Sequence, residues 1–437
     1  MTSRRDFLVG AGLVSSAAAA GQLPKPADLD AAFGPGFDRA MDDFEAAQDA
    51  LGRLYDVDRS VANFDAAYYG AMTRPVHAAY LERTDWVNKR NSLYLRNAID
   101  DAPRDELLNR SRRAVAELIG ADMEEVALCN GGTEGLYSLI VNYRPLKAGD
   151  AVVIADVDYD EMQHACEHLE ASRGATLVRL VLPEPHTPAN VLGAYDKVLR
   201  ETPRAKLLLL THVSNRNGLI TPVREIVSLA KARGVDVILD SAQAVGQVPF
   251  NVAETGADFI GFSLHKWIAA PLGTGAIYIR RERMGDIAPF LGNKIRDEDD
   301  VRARILTGTI NYAAHLSIPA AVEVHRRIGA ERKLQHLQRL RDYWMDRVRD
   351  VPGVTFQLPE RGVPYGAISS FRLANVRSWE ECQALQARFI KRHRLLVVAK
   401  RGLASGPVMR VTPSLFNTAA ELDRLVAAIR VEATTRA

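Results

Sequence analysis

Cysteine is scarce in this sequence. Its 437 residues include only three, Cys129, Cys166 and Cys382. A small and odd number of cysteines does not make a disulfide framework, and their spacing does not match a metal site. We therefore expect no metal site, and we interpret all three thiols as buried or incidental.

An excess of charge of either sign is also missing. The 56 lysines and arginines nearly balance the 54 aspartates and glutamates, which leaves a net charge of +2. No dense basic run and no internal repeat occurs, so nothing indicates a nucleic-acid partner or a solenoid. The hydrophobic fraction of 47% is ordinary for a soluble globular protein. Because the length exceeds what one core supports, we predict one large and one smaller domain.

A membrane-spanning run is absent as well. Residues 7–20 are apolar and uncharged, but a spanning helix needs about 20 such residues. Arg4 and Arg5 precede the run in "SRRDFL", which resembles the twin-arginine export signal, and Ala18 and Ala20 form an A-x-A cleavage pattern. We expect cleavage after Ala20, a periplasmic location and, since no cysteine directly follows the run, no membrane anchor. The alternative is a frayed helix with two chance arginines.

Short apolar strands alternate with helices from about residue 126. Strands that are apolar along their whole length imply a mostly parallel sheet with both faces covered, and hence an α/β fold. In such sheets, ligands bind at the carboxyl ends of the strands. The predicted strands are "VALCN", "AVVIADV", "TLVRLVL", "AKLLLLTHV", "VDVILD", "ADFIGFS" and "GAIYIRR".

The two ends of the chain follow other patterns. We predict helices over residues 27–56, 74–98 and 312–349. After Pro352, short strands and helices indicate a small α+β domain. The predicted units are an export signal at 1–20, an N-terminal helical segment at 21–62, a large ligand-binding domain at 63–315, and a long helix with the small domain at 316–437.

Polar residues stand at the ends of two predicted strands. Asp240 ends "VDVILD", where a carboxylate is costly unless it is paired; it is either a helix N-cap or a counter-ion for a cationic ring nitrogen. Lys266 follows the next strand and is either a surface lysine or a nucleophile activated by desolvation or a cationic neighbour. Gln243 can reach the same ligand as Asp240, although by itself it would be a solvated polar residue.

Two segments are suited to binding a phosphate. Ser263 and His265 flank the lysine in a strand-to-loop turn whose N–H groups suit an anion, although His265 can equally be a core histidine. In "CNGGTEGLYSL", Gly131 and Gly132 permit close backbone approach and Thr133 offers a hydroxyl at a helix N-terminus, although a glycine pair is often only a turn. A phosphate, a pyridine nitrogen and an aldehyde that takes a lysine together describe pyridoxal 5'-phosphate.

These segments also carry a family resemblance. "DSAQAVGQVPFNVAETGADFIGFSLHKWIAAPLGTGAIYIRRE" looks like the signature of the class V aminotransferase-fold enzymes that use pyridoxal phosphate. Within that group it is most similar to isopenicillin N epimerase-like proteins, which carry comparable "HKW…P.GTG" segments. The likeness extends from about residue 60 to the C-terminus. It implies PLP fold type I, with a sheet of the seven-stranded type in a PLP-binding large domain.

The resemblance implies a role for each residue of the constellation. Lys266 would form the internal imine and Asp240 would pair with the ring nitrogen. Gln243 would contact the ring hydroxyl or the imine region. Four residues would hold the phosphate: Gly132, Thr133, Ser263 and His265.

Further segments match the family at single positions. Tyr159, in "ADVDYDEM", stands where the family has a histidine that stacks on the ring; the alternative is a core tyrosine. Asn215, in "LTHVSNRNG", would lie beside the ring hydroxyl unless it is only a turn residue. Thr309, in "LTGTINY", would reach into the phosphate site of a neighbouring subunit, which implies a homodimer.

The substrate side follows from two other segments. Arg410, in "VMRVTPSLFNT", would grip a substrate carboxylate by a bidentate contact, unless it is an ordinary edge-strand arginine. Tyr68 and Tyr69, in "NFDAAYYGAMTRPV", would line the pocket, with packing tyrosines as the alternative.

The resemblance does not choose the reaction. Cysteine desulfurases of this fold need a reactive cysteine on a loop, whereas Cys382 lies in the helical pattern "SWEECQALQARF". Epimerisation needs proton donors on both faces of the α-carbon, of which Lys266 supplies one, and transamination needs only the lysine. We expect an exported aminotransferase or epimerase that acts on the α-amino group of an amino acid or a peptide-like derivative. A β-lyase, a decarboxylase-type enzyme and a non-catalytic binding protein are the alternatives.

Overall fold

The computed structural model describes residues 29–98, 103–295, 297–357 and 363–434. The predicted export signal at residues 1–20 lies outside the described residues. The α-helices are α1 Leu29–Phe33, α2 Phe37–Ala40, α3 Phe44–Gly52, α4 Arg74–Leu95, α5 Arg104–Ile119, α6 Gly132–Val141, α7 Asp160–Arg173, α8 Pro188–Glu201, α9 Val223–Lys231, α10 Val252–Thr255, α11 Tyr312–Leu316, α12 Ile318–Ile328, α13 Ala330–Val348, α14 Trp379–His393 and α15 Ala419–Thr434. No helix among these residues is both long and apolar enough to cross a membrane.

The strands of the described residues form three sheets. They are β1 Ala62–Asn63, β2 Val126–Cys129, β3 Ala151–Ala155, β4 Thr176–Leu180, β5 Ala205–Thr211, β6 Asp236–Asp240, β7 Phe259–Ser263, β8 Gly275–Ile279, β9 Val354–Phe356, β10 Ser369–Leu373, β11 Leu395–Leu396, β12 Val398–Lys400 and β13 Val408–Val411.

A seven-stranded sheet in the order β2-β8-β7-β6-β5-β3-β4 is the centre of the molecule. All its neighbouring strands run parallel except β8, which is antiparallel to both β2 and β7. Strands β2, β3, β6, β7 and β8 are buried at every position, because helices cover both faces. The predicted α/β class with a mostly parallel sheet is confirmed.

Helix α9 shows how the sequence builds these covering layers. Its buried residues Val223, Ile226, Val227 and Ala230 recur at the spacing of one helical face. Pro222 precedes the helix, where a missing N–H costs nothing. Gly234, with φ at 70°, then turns the chain toward β6. The periodic apolar face therefore docks on the sheet and returns the chain for the next parallel strand.

The long helix predicted over residues 312–349 is wrong. The structure has three consecutive helices there, α11, α12 and α13. Pro319 in the first turn of α12 cannot extend the hydrogen-bond ladder of α11, and Gly329, at φ 87°, separates α12 from α13. The single helix predicted over 27–56 is likewise three short ones, α1 to α3, with Gly36 at φ 88° between the first two.

Two helices that the sequence reading passed over cover the sheet as well. Helix α5 buries Leu107, Val115 and Ile119. Helix α8 begins where the Thr187 hydroxyl accepts a hydrogen bond from the Asn190 N–H at 3.2 Å. Both carried readable signals, an amphipathic period in α5 and an N-cap threonine followed by proline in α8.

The second, four-stranded sheet has the order β12-β13-β10-β9 and is antiparallel. It shares a separate apolar core with helices α13, α14 and α15. Residues from the N-terminal part join this core: Phe64 is fully buried in it and β1 pairs with β11. The predicted domain boundaries at residues 62 and 315 stay predictions, but contacts between distant parts of the chain tie the N-terminal segment to the small sheet.

Candidate active site

A cleft of about 540 Å³ opens at the carboxyl edge of the central sheet, against the small domain. Strands β6 and β7 run parallel, so Asp240 and Ser263 end at the same edge. The cleft is lined by Ala67, Tyr68, Tyr69, Asn130, Gly131, Gly132, Thr133, Glu134, Tyr159, Asn215, Gln243, Ser263, His265, Lys266, Leu272, Lys400 and Arg410. Asp240 lies beneath them, in a smaller pocket that also includes Lys266, Gln243 and Asn215.

Lys266 stands in the turn that follows β7. Burial lowers the pKa of its amine to about 8, with the Asp240 carboxylate opposing and the Arg410 guanidinium adding to this effect. The backbone around it is fixed closely, since the Gly70 N–H donates to the His265 carbonyl at 2.9 Å. A Cβ atom on Gly70 would lie 2.0 Å from the Lys266 carbonyl oxygen. The chain thus holds an amine that is readily deprotonated at the floor of the cleft.

Asp240 is 5% exposed at the end of β6. Its Oδ1 accepts a hydrogen bond from the Ala242 N–H at 2.9 Å, so it closes a turn and does not cap a helix. In the part of the chain that the structure describes it has no ion-pair partner within 4.0 Å, and burial raises its pKa. A carboxylate in such a place is suited to pairing with a cationic group of a ligand.

Gln243 is more constrained than the sequence suggested. Its Oε1 accepts a hydrogen bond from the Trp267 indole N–H at 2.8 Å, and its Nε2 donates to the Ala67 carbonyl at 2.8 Å. One amide hydrogen remains for the cleft. Gln243 therefore joins three segments of the cleft wall besides lining it.

The glycine pair and Ser263 form one side of the cleft. The Gly132 N–H, at the start of α6, donates to the Ser263 Oγ at 3.0 Å. A Cβ atom on Gly132 would lie 2.8 Å from that Oγ, and one on Gly275 would lie 2.6 Å from the Gly131 backbone. The absence of side chains lets the N-terminus of α6 approach β7 and β8, and its first residues, Gly132 and Thr133, line the cleft.

The substitution Gly132→Ala tests this close approach. We expect it to lower the free energy of unfolding by about 1–3 kcal/mol, because the added methyl must displace Ser263 or the backbone of β7, and to weaken cofactor binding. The matched control is Gly193→Ala in α8, where a Cβ atom meets nothing within 4 Å; that change should stabilise by about 0.5–1 kcal/mol. Chemical denaturation and cofactor titration measure both effects, and equal behaviour of the two variants would contradict the prediction.

His265 and Thr133 complete the predicted phosphate site. The His265 Nδ1 donates to the Thr274 carbonyl at 2.9 Å, which leaves Nε2 as the unprotonated nitrogen of a neutral ring. Burial lowers the pKa of His265, and the nearby Lys266 amine adds to this. Thr133 is exposed in the first turn of α6. Both side chains line the cleft.

Tyr159 and Asn215 also line the cleft. Tyr159 is half-buried just before α7 and packs partly against the core below the sheet. The Asn215 Oδ1 is buried without a hydrogen-bond partner among the described residues, although the Asn215 carbonyl accepts from Arg410 at 2.8 Å. The side-chain amide of Asn215 is therefore held in the cleft with a polar atom left to a ligand.

Arg410 on β13 is 3% exposed and has a partner that the sequence reading missed. One of its terminal nitrogens donates to Asn215 and the other to the carboxylate of Asp65. Asp65 lies three residues before Tyr68, in the segment "NFDAAYYGAMTRPV" that was expected to line the pocket. Arg410 is thus an internally balanced cation at the cleft, and a substrate carboxylate must share it with Asp65.

The remaining predicted residues divide into two groups. Tyr68 and Tyr69 are 71% and 46% exposed at the mouth of the cleft, with their ring centroids 5.8 Å apart. Thr309 is exposed and does not line the cleft; its neighbours Gly308 and Ile310 line a separate groove. Lys400, at the end of β12, lines the cleft although the sequence reading did not name it. It carries the same signal as Lys266, a lysine at the end of an apolar strand.

All three cysteines are buried, and none of them lines the cleft. Burial raises the pKa of Cys129 to about 12 and that of Cys382 to about 11, and it raises the pKa of Cys166 further. Cys382 packs in the small-domain core on α14. None of these thiols is placed or ionised for chemistry in the cleft.

Comparison with known proteins places the chain among pyridoxal phosphate enzymes. The model of the family described as aminotransferase class-V matches residues 101–425. A probable cysteine desulfurase of Mycolicibacterium paratuberculosis is 30% identical over 73% of this chain, which spans only 48% of that relative's length. The isopenicillin N epimerase of Amycolatopsis lactamdurans is 26% identical over 86% of this chain and 96% of its own.

Solved structures agree on the fold. A cysteine desulfurase from Thermococcus onnurineus superposes with a TM-score of 0.73 at 22% identity, covering 85% of this chain and 94% of its own. A C-DES variant with glycine covalently linked to its PLP cofactor also gives 0.73, at 18% identity, over 85% of this chain and 97% of its own. At such identities the likeness concerns the fold, PLP fold type I, as predicted.

The cofactor prediction is confirmed by these matches, and the cleft fits it. Pyridoxal 5'-phosphate needs an anion site, a buried carboxylate and a lysine within one ring's reach. The cleft offers the α6 N-terminus, the unpaired carboxylate of Asp240 and the amine of Lys266. The unpartnered amide oxygen of Asn215 is a further group that a polar ligand can satisfy.

Proposed function

Since the chain belongs to the aminotransferase class-V family and is a pyridoxal phosphate-dependent enzyme, we propose that it removes and returns the α-proton of an amino acid or a peptide-like amino acid derivative. The reaction is a transamination or an epimerisation. The observation that supports this most directly is the amine of Lys266, placed between Asp240 and Arg410 on the floor of one cleft.

Each of several cleft residues has a separate role in this reaction. When bound, the cofactor withdraws electrons from the bonds of the substrate's α-carbon. Asp240 keeps a proton on the ring nitrogen, because a buried carboxylate favours a cationic partner. Lys266 anchors the cofactor aldehyde and, when released, moves the α-proton through its amine. Arg410 orients the substrate carboxylate, and Tyr68 and Tyr69 lie where they can cover the cleft.

A spectral screen of the holoenzyme tests this proposal. D- and L-amino acids would be added while the visible absorption is followed, with deuterium exchange at the α-carbon measured by mass spectrometry. Formation of a keto acid indicates transamination, and exchange with inversion indicates epimerisation. Release of a β-substituent would instead establish the lyase alternative, and release of carbon dioxide would establish the decarboxylase alternative.

Desulfuration through a protein thiol is the function that the names of several relatives suggest. The cysteines of this chain argue against it, because Cys382 is 2% exposed inside the small-domain core. A thiol that accepts sulfur must reach the substrate as a thiolate. We therefore place epimerisation, supported by the relative that matches over most of both chains, ahead of desulfuration.

The lowered pKa of Lys266 predicts a pH dependence. The neutral amine is the nucleophile that captures the cofactor aldehyde, and its fraction rises as pH passes upward through about 8. We expect the rate of cofactor capture by cofactor-free protein to rise with pH and to level off above that value. Stopped-flow absorbance measures it, and a rate that continues to climb as for an ordinary exposed lysine would contradict the prediction.

A homodimer is part of the proposal. The groove beside Thr309 has a volume of about 430 Å³ and includes Leu306, Ile310 and Arg302. We propose that a second copy covers this region and that Thr309 contributes to the partner's phosphate site. Sedimentation analysis gives the oligomeric state, and a monomeric holoenzyme with full cofactor affinity would rule the proposal out.

Export is proposed from the N-terminal sequence alone. The twin arginines Arg4 and Arg5 precede an apolar run, and twin-arginine export carries folded proteins, which suits an enzyme that loads its cofactor before transport. Cell fractionation of the wild type and of a variant with both arginines changed to lysine tests this. Equal distribution of the two proteins would count against export by this route.

A further inference from the structure

Lys400, which lines the cleft, is surrounded by two other cations, Arg410 and Arg216, and by two carboxylates, Asp65 and Asp160. Arg410 donates to Asp65, and Arg216 donates to the carboxylate of Asp160 at 2.5 Å. These two ion pairs balance their own charges. The side-chain amine of the third cation, Lys400, has no hydrogen bond or ion pair with any of the described residues. The side chain of Lys400 is therefore left without a paired carboxylate among the described residues.

Strand pairing places Lys400 beside the proposed carboxylate-binding arginine. Arg410 on β13 lies opposite Val398 on β12, and Lys400 is two residues further along the same strand. Side chains two residues apart on a strand share one face. Lys400 and Arg410 are therefore diagonal neighbours across the strand pair, with their Cα atoms about 7–8 Å apart. Both side chains line the cleft that contains Lys266. Two cations can thus contact one small ligand at two points.

The surroundings of Lys400 favour an anionic partner. Burial lowers its pKa to about 8, with Arg410 adding to this effect while Asp65 and Asp160 oppose it. The amine is therefore mainly charged at neutral pH. A half-buried ammonium group without an ion-pair partner among the described residues is less hydrated than one in bulk water, and a ligand carboxylate can pair with it through a charge-assisted hydrogen bond.

We propose that Lys400 binds a second acidic group of the substrate, so that the enzyme prefers amino acids with an acidic side chain. This inference rests on the proposed function, in which Arg410 takes the α-carboxylate and Lys266 moves the α-proton. Lys400 is then a specificity-determining residue that contacts the distal carboxylate.

The experiment compares acidic and neutral ligands on the holoenzyme. Spectral titrations with L-2-aminoadipate, L-glutamate and L-norleucine report substrate binding, and calorimetry with glutarate and pentanoate reports anion binding without chemistry. We expect the acidic ligands to bind more tightly to the wild type. Lys400→Gln should weaken the binding of the acidic ligands about tenfold or more, because a charged hydrogen bond is lost. The affinities for L-norleucine and pentanoate should not change. Lys400→Arg should restore part of the preference.

The matched control is Lys391→Gln, on the exposed side of α14, which should change the affinity for none of these ligands. Equal binding of glutarate and pentanoate to the wild type would overturn the inference. So would a Lys400→Gln variant that loses α-proton exchange on acidic and neutral amino acids alike, because the lysine would then be a proton donor. If glutarate binding depended on Lys400 but no amino acid bound or reacted, the proposed function would be refuted. The assignment of Lys400 as a carboxylate-binding residue would still hold.

Discussion

Lys266→Ala is expected to abolish the visible absorption of the purified protein and to lower turnover by about a thousandfold or more, since both covalent anchoring and proton transfer are lost. The fold should survive, because the substitution removes a group whose charged form is disfavoured by burial. Circular dichroism and thermal unfolding would verify this. Absorbance with and without added pyridoxal phosphate then measures the effect on the cofactor itself.

The position of the covalent bond gives a second readout. Borohydride reduction of the wild-type holoenzyme followed by peptide mass spectrometry should locate the cofactor on Lys266. The control Lys197→Ala, at an exposed position on α8, should keep both the absorption and the activity. A cofactor attached to another lysine, or a Lys266→Ala protein that retains its colour and turnover, would refute the assignment. A colourless wild type that ignores added cofactor would instead favour a non-catalytic binding protein.

Asp240→Asn should produce the next largest effect. The amide keeps an acceptor for the Ala242 N–H but cannot stabilise a protonated ring nitrogen, so turnover should fall about a hundredfold or more, as when a preorganised charge is removed from an active site. The same change removes a buried charge that has no ion-pair partner within the described part of the chain. We therefore expect the melting temperature of the cofactor-free protein to stay the same or rise.

Asp236→Asn, at the other end of the same strand, is the matched control. Asp236 accepts hydrogen bonds from Arg283 at 2.8 Å and from the Tyr143 hydroxyl. Its replacement should destabilise the protein by about 3 kcal/mol and leave the turnover of each folded molecule unchanged. Steady-state kinetics and calorimetric melting separate the two variants. If Asp240→Asn lost only stability, or Asp236→Asn lost only turnover, the assigned roles would be wrong.

The contrast between Lys266 and Lys400 shows which site residues could be predicted from the sequence. Both lysines follow apolar strands, but only Lys266 lies in a segment that resembles a family signature. The surroundings of Lys400 are assembled from Arg410 across a strand pair, Asp65 and Asp160. No local pattern records contacts between residues that lie hundreds of positions apart.

The same distinction applies to the helices around residue 320. The sequence pattern suggested one long helix over residues 312–349, whereas Pro319 and Gly329 divide this segment into three helices. The apolar period reports which face is buried, and it does so equally well for one helix or for three. Backbone breaks depend on single residues, here Pro319 and Gly329, which the sequence also shows.

The sequence by itself determined the α/β class, the succession of the central strands along the chain and the cofactor. These depend on apolar strands and on residues that are close together in the sequence. Tertiary structure alone decided that Asp65 neutralises Arg410, that Gln243 is tied to Trp267 and Ala67, and that Lys400 faces the cleft. Charge balance at a buried site is a sum over every group that folding brings within a few ångströms. It therefore exists only once the small sheet and the N-terminal segment have closed over the central one.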